Sequence, residues 1–312
     1  MTAYSELVAR QALASLIGRL LLAPPAAELW AEAAMLPELA DVMGDGREAL
    51  AVAYEYLIGR NVYPYESLYR DEELMLNTAA AERVAALYES CGFVPDPNVG
   101  APDHLGLELT VLARLIATEA AAQANGDAAL RSWARRQATT LLHQHLAGWV
   151  PIWARTVHRI PAHPFYQTVA SLVVELIGSE LERLAGEPVV VQEYIPLQPA
   201  TPHDEETDLS ALIRHLITPV KAGFFLSRAD CSALARQLGF AIPIGDRFGM
   251  ARTLFETAGQ FEQVEALIAA LQNIMSIETT ELRRLIAAQP VWEPALQPWL
   301  ARLADRRWLA VN

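Results

Sequence analysis

Lysine, cysteine and long apolar runs are scarce in this chain. Lys221 is the only lysine among 24 basic residues, which face 37 acidic ones and leave a net charge of −13. Phosphate backbones need a basic face, so this balance argues against a nucleic-acid partner and favours basic peptides. Cys91 and Cys231 are the only cysteines. Two cysteines so far apart predict neither a cysteine-based metal site nor a disulfide framework.

Signals for the membrane and for secretion are also missing. The longest apolar stretches are interrupted by Arg19 and Glu175, so we expect no segment to insert stably in a bilayer. Residues 1–6 show no basic region followed by an apolar core, which a secretory signal would need. The sequence therefore predicts a cytoplasmic protein.

Motifs for catalysis and metal binding are absent as well. There is no Gly-x-Ser-x-Gly, no glycine-rich phosphate loop, no His-Glu-x-x-His and no Cys-x-x-Cys. His143 and His145 are two residues apart, so on a helix they point about 200° apart and share no face. We predict no cofactor, no metal site and no catalytic residues.

Apolar residues, by contrast, are abundant, and they recur with helical spacing. They make up 53% of the chain, and their period of three to four residues favours helices throughout. The one strand-like run is residues 189–191. We predict an all-α fold, with a helical bundle over 1–186, a proline- and acid-rich linker over 187–207 and a smaller helical module over 208–312. In the first part, helices are expected near residues 4–22, 26–36, 46–58, 78–90, 103–124, 127–146, 148–160 and 164–185.

Local signals mark several helix ends. Asp127 and Asp246 are good N-caps. Ser227 and Asp230 have the spacing of a capping box, and Gly239 is a good helix stop. We expect about five shorter helices after the linker.

Tyrosines cluster in one short stretch. Five of the nine tyrosines fall between Tyr54 and Tyr69. Core packing accounts for most such aromatics, but clustered tyrosines are also enriched at binding interfaces. Pro64 restricts the backbone beside Tyr65, which predicts a rigid turn.

Asp103 and His104 follow Pro102 where a helix should begin. An aspartate there is typically an N-cap, and the same pair at a groove edge could hydrogen-bond an extended peptide or an arginine. A hydrolase using Asp103 and His104 remains an alternative, with only Ser67 and Cys91 as nucleophiles that nothing excludes.

Blocks of this sequence resemble the TorD/DmsD/NarJ family of redox-enzyme maturation chaperones. The blocks span about 180 residues in the family's order, and that order is more specific than any one block. They are Leu21–Pro25, Tyr54–Tyr69, Gly100–Leu109, His145–Trp149 and His163–Tyr166.

The resemblance implies an all-helical cytoplasmic chaperone. Its partners would be the apoprotein of a molybdenum-cofactor oxidoreductase and that enzyme's twin-arginine signal peptide, and a homodimer is an open alternative. A scaffold or accessory subunit retained in the mature complex also remains open. The family usually has glutamate where this chain has Ala101. The peptide-binding surface implied by the resemblance comprises Tyr54, Leu57, Ile58, Pro64, Tyr65, Ser67, Asp103 and His104.

A concave, partly exposed arrangement of these residues is expected. The module after residue 208 carries an apolar stripe that includes Leu212 and Leu216, and such a stripe must be buried. We expect the module to dock on the first domain, within one chain or across a dimer.

Overall fold

The fold is all-α, as the sequence predicts. The computed structural model describes residues 3–44, 46–188 and 209–309. Those residues form sixteen α-helices and no β-strand. Within the same ranges, no helix is both long enough and apolar enough to cross a membrane. Most of the predicted linker, including the strand-like run 189–191, lies outside the described residues.

Contacts between residues divide the chain into two compact units. The first comprises residues 1–59 and 63–194, and the second comprises residues 60–62 and 195–312. The helices of the first unit are α1 (Ala3–Leu22), α2 (Ala27–Ala33), α3 (Pro37–Ala40), α4 (Arg47–Leu57), α5 (Ser67–Arg70), α6 (Ala79–Ser90), α7 (Leu105–Asn125), α8 (Ala128–Thr140), α9 (Val150–Arg159) and α10 (Pro164–Arg183).

The second unit contains six further α-helices. One of them, α15, is 25 residues long, which differs from the short helices expected after the linker. Its sequence contains no glycine or proline, so no residue within it favours an earlier end. The helices are α11 (Leu209–Ile217), α12 (Pro219–Ala222), α13 (Arg228–Gln237), α14 (Arg247–Gln260), α15 (Val264–Ala288) and α16 (Glu293–Ala304).

The capping signals read from the sequence hold. Asp127 Oδ1 accepts a hydrogen bond from the Leu130 amide at 2.9 Å, and Asp246 caps α14 in the same way. Ser227 and Asp230 form the full capping box at the start of α13. Gly239 lies two residues after α13 with a φ of +75°, which suits glycine best.

Two local features were not anticipated. The short helices α3 and α5 are each four residues long, below the length at which apolar periodicity can be detected. The helix expected over 127–146 is regular only to Thr140, and residues 141–146 form a π-helical turn. Such turns interrupt the normal ladder and often occur at functional sites.

The core of the first unit is organised around the pair α1 and α7. The two backbones meet at Gly18 and Gly106. A Cβ atom added to Gly106 would lie 2.7 Å from the Gly18 carbonyl oxygen and 2.7 Å from Leu22 Cγ. Glycine is therefore required for this approach, because no larger residue fits without moving a helix.

A chain of ion pairs ties α1, α7, α8 and α10 together. Glu119 on α7 is buried and accepts from Arg135 and Arg183, each at 2.9 Å. Glu180 on α10, also fully buried, pairs with Arg183 at 2.7 Å and Arg10 at 2.9 Å. Each buried carboxylate thus has at least two guanidinium partners, and buried charges require such pairing.

Candidate peptide-binding site

Two segments far apart in sequence are joined by a short antiparallel bridge. The Glu66 amide donates to the Asp103 carbonyl at 3.0 Å, and the Leu105 amide donates to the Pro64 carbonyl at 2.8 Å. These bonds flank the paired residues Tyr65 and His104. The bridge therefore holds the tyrosine-rich segment against the start of α7.

Tyr65 is the partly exposed residue of this bridge. Its ring meets the His104 ring edge-on, with centroids 4.9 Å apart and planes at 87°, an arrangement that aromatic rings prefer. Its hydroxyl donates to the Val99 carbonyl at 3.0 Å. Burial, with a smaller contribution from Asp103, raises the pKa of Tyr65. The phenol therefore stays neutral and keeps its orientation.

Asp103 and His104 take roles that differ from those that the sequence suggested. The expectation that Asp103 caps α7 is wrong, because α7 begins at Leu105 and His104 is its N-cap. His104 Nδ1 accepts from the Gly106 amide at 3.0 Å. Asp103 Oδ2 instead accepts from the Ser67 amide at 2.7 Å, at the start of α5. Asp103 thus serves a different helix from the one that spacing predicted, whereas His104 caps the predicted helix.

Burial sets the protonation state of both groups. It lowers the pKa of His104 to about 4. The imidazole is therefore neutral at physiological pH, and its Nδ1 can accept a hydrogen bond. It raises the pKa of the Asp103 carboxyl, against the hydrogen bond from the Ser67 amide, which favours the charged form. Neither group is exposed as a general base.

Beneath the bridge lies a buried ion cluster. Glu66 is fully buried; its Oε1 accepts from Arg70 at 2.6 Å and its Oε2 lies 2.9 Å from His145 Nδ1. Burial acts to raise the pKa of Glu66, but His145 and Arg70 outweigh it and leave the pKa below its usual value. Arg70 also donates to the carbonyl of Gln144 in the π-helical turn. The cluster therefore connects the bridge segment to that turn.

Glu108 is the unusual member of this region. It lies one turn after His104 on α7 and is fully buried. Among the described residues, neither of its carboxylate oxygens has a hydrogen-bond partner. Burial, followed by repulsion from Glu66 and Asp103, raises its pKa well above the usual value. Burial and the two neighbouring carboxylates thus favour the neutral, protonated form of this carboxyl.

Of the eight site residues implied by the resemblance, two reach the surface. Tyr54 and Tyr65 are partly exposed, and Tyr54 donates its hydroxyl to the Leu21 carbonyl at 2.9 Å. Its pKa is raised to about 12 by burial and by the nearby Tyr65 and Glu55. The structure buries the other six, which are Leu57, Ile58, Pro64, Ser67, Asp103 and His104.

Other concave and polar features of the first unit lie elsewhere. A cavity of about 470 Å³ is lined by Gln123, Arg131 and Arg135 near the end of α7. At 1.5 Å per residue that end is roughly 30 Å from His104. The described residues contain no group of three or more histidine, cysteine or acidic side chains able to hold a metal ion. The bridge is thus an aromatic and hydrogen-bonding surface above a buried polar layer.

Sequence reasoning missed the residues beneath the bridge. Glu66 and Arg70 are four apart, which is a detectable helical ion-pair spacing. His104 and Glu108 share the same spacing on α7. Neither pattern shows which side chains point inward, and His145 is 79 residues from its partner Glu66.

A family model matches this chain over the region that contains the bridge. Residues 24–155 match the model of the nitrate reductase delta subunit family. Over these residues the chain is similar to the TorD/NarJ family. A chaperone protein TorD from Vibrio cholerae serotype O1 is 31% identical over 118 residues, which is 38% of this chain and 52% of the relative. One from Vibrio atlanticus is 28% identical over 125 residues, 40% of this chain and 57% of the relative.

The TorD/NarJ match covers part of the chain. The chain spans about half the length of the curated relatives it matches. No solved structure matches it. The matched residues include the whole bridge, the buried ion cluster and the π-helical turn, whereas residues after 155 lie outside the match.

Proposed function

We propose that this protein is a redox-enzyme maturation chaperone whose bridge surface binds the signal peptide of its client. The client would be the apoprotein of a molybdenum-cofactor oxidoreductase, held in the cytoplasm before export or assembly. One observation supports this most directly. The two segments implicated by the family resemblance are hydrogen-bonded to each other, and Tyr65 at their junction is partly exposed.

The chemistry of the surface suits such a peptide. Tyrosine supplies a rigid apolar ring with a polar end, which makes it a frequent binding anchor. A signal peptide carries basic residues followed by apolar ones. The net charge of −13 attracts its basic part over a long range, while its apolar part gains from leaving water. Binding of this kind needs no chemical step.

Calorimetry with a synthetic twin-arginine signal peptide tests the proposal. Replacement Tyr65→Ala should weaken binding by roughly 1–3 kcal/mol if Tyr65 is an anchor. Tyr65→Phe removes only the bond to Val99, so it separates loss of the ring from loss of that bond. Tyr4→Ala is the matched control, because Tyr4 is a 49% exposed tyrosine on α1. Unchanged affinity of a folded Tyr65→Ala protein would remove Tyr65 from the site.

Co-purification distinguishes a chaperone from a retained accessory subunit. A chaperone should associate with the cofactor-free oxidoreductase and be absent from the active enzyme. An accessory subunit would remain in stoichiometric amounts after the enzyme is active. Recovery of this chain with the active enzyme would contradict the proposal.

A further inference from the structure

The loop that follows the bridge segment presents an acidic pair and then apolar side chains. It runs from Asp71 to Thr78, between α5 and α6. Glu72 and Glu73 are exposed. Met75 is 65% exposed and Leu76 is 39% exposed. Side chains of this kind are usually withdrawn from water, so a pair of them at one loop tip suggests a contact surface.

The two ends of this acidic–apolar loop are fixed. Asp71 Oδ2 accepts from the Ala80 amide at 2.8 Å and from the Thr78 hydroxyl. Arg83 lies 3.7 Å from the other oxygen of the same carboxylate. One aspartate therefore closes the loop at the start of α6. Because the loop is already ordered, it loses less conformational entropy when a ligand binds.

The backbone of the loop is also unusual. Leu74 and Asn77 have φ values of +56° and +59°, in the left-handed region that a bulky residue such as leucine rarely adopts. Asparagine tolerates this region, but leucine has no side-chain group that could stabilise it. The closed loop therefore maintains an unfavourable backbone that presents Met75 and Leu76 outward.

The bridge surface by itself is small for a peptide. Tyr54 and Tyr65 are its partly exposed members, and a stable peptide contact also needs apolar surface beyond two tyrosines. The acidic–apolar loop begins at the residue after Arg70, where the bridge segment and α5 end. It is the next segment along the chain, and it carries both missing components, negative charge and exposed apolar side chains.

We infer that the acidic–apolar loop is a second contact for the peptide, and that it receives a basic residue next to a run of apolar residues. This inference rests on the proposed function. Glu72 and Glu73 are suited to a guanidinium group. Met75 and Leu76 are suited to the apolar run, and the flexible methionine side chain adapts to different apolar sequences. The bridge would anchor the peptide, and the loop would select its basic-to-apolar order.

The first test removes the apolar contact. The full chain with Met75→Ser and Leu76→Ser is titrated with a fluorescent synthetic peptide of two arginines followed by leucines and alanines. We expect its dissociation constant to rise roughly tenfold. Met35→Ser is the matched control, because Met35 is an 83% exposed methionine on the turn after α2. It should leave the dissociation constant unchanged.

The second test combines a change in the loop with a change in the peptide. Glu72→Gln with Glu73→Gln is measured against the arginine peptide and against the same peptide with glutamines in place of arginines. The loop change should weaken the arginine peptide about threefold at low salt and less at high salt. It should leave the glutamine peptide unaffected. Equal weakening of both peptides would show that the loop does not recognise the charge.

The outcomes separate this inference from the proposed function. If Tyr65→Ala weakens binding but neither loop variant does, the loop inference fails while the proposed function stands. If neither Tyr65→Ala nor the loop variants change peptide binding, both the loop inference and the proposed function fail. If the Met75 and Leu76 variant alters the sedimentation of the protein but not peptide binding, the loop is a contact between copies of this chain and the inference is overturned.

Discussion

Glu108→Gln should stabilise the protein, and by more as the pH rises. Glu108 is fully buried beside Glu66 and Asp103, and it has no hydrogen-bond partner within the part of the chain that the structure describes. Its folded pKa is raised well above the usual value, whereas in the unfolded chain it titrates near about 4.3. Between these two values the folded state binds more protons than the unfolded state. The free energy of unfolding therefore falls as the pH increases, by up to about 1.4 kcal/mol per pH unit.

Glutamine has nearly the same shape and never ionises. A neutral carboxyl and an amide are both polar and both unpartnered in this site, so their remaining burial costs are similar. The advantage of Glu108→Gln should therefore be small near about pH 4. It should grow by about 1.4 kcal/mol for each pH unit above that, until the folded pKa is reached.

The difference between the two proteins is the quantity to measure. In the parent protein, other groups also make the free energy of unfolding depend on pH. The pKa of His104 is lowered to about 4, so its contribution makes stability rise with pH between about 4 and about 6.5. Asp103, whose pKa is raised by burial, acts in the same direction as Glu108. Subtracting the parent from the variant removes most of both effects.

Urea unfolding from about pH 5 to about pH 8 is the assay. Glu66→Gln is the control and should change the free energy of unfolding in the opposite direction, because Glu66 is buried with both oxygens paired. Breaking a buried pair costs about 3–5 kcal/mol, so that variant should be less stable at neutral pH. A stability difference for Glu108→Gln that is flat with pH would refute the inference that burial raises the pKa of Glu108.

Two further variants test the packing of the first unit. Gly106→Ala should lower stability by roughly 2–3 kcal/mol, since its Cβ would lie 2.7 Å from the α1 backbone. Gly148→Ala is the control and should change thermal unfolding little, because its nearest contact is at 3.6 Å. Equal effects of the two changes would contradict the close approach of α1 and α7. Glu119→Gln should cost roughly 2–3 kcal/mol in chemical unfolding, because Arg135 and Arg183 each keep a second carboxylate. No loss there would show that the buried carboxylate is not ionised.

Helices and their ends were largely predictable because they depend on neighbouring residues. Apolar spacing placed α1, α6 and α10 to within about two residues. Asp127 was recognised as a cap from its position alone, because a cap bonds to amides within three residues of itself. The four-residue helix α5 was missed, since it is too short to show a period.

The candidate site depended on a different kind of information. The resemblance to a known family implicated Tyr65 and His104 together, and the structure pairs them in one bridge. The same reasoning expected an exposed Asp103 and His104, but the structure buries both. A short polar pair in sequence carries no sign of which helix each side chain will serve.

The sequence by itself determined the all-α class, the acidic charge and most helix limits, since these follow from composition and local spacing. Only the tertiary structure decided that Glu66 pairs with His145 and that Glu108 finds no hydrogen-bond partner among the residues described. Those outcomes depend on how α5, α7 and the π-helical turn pack against one another. Burial also decides the ionisation of each carboxyl, because the cost of a buried charge depends on the atoms that surround it.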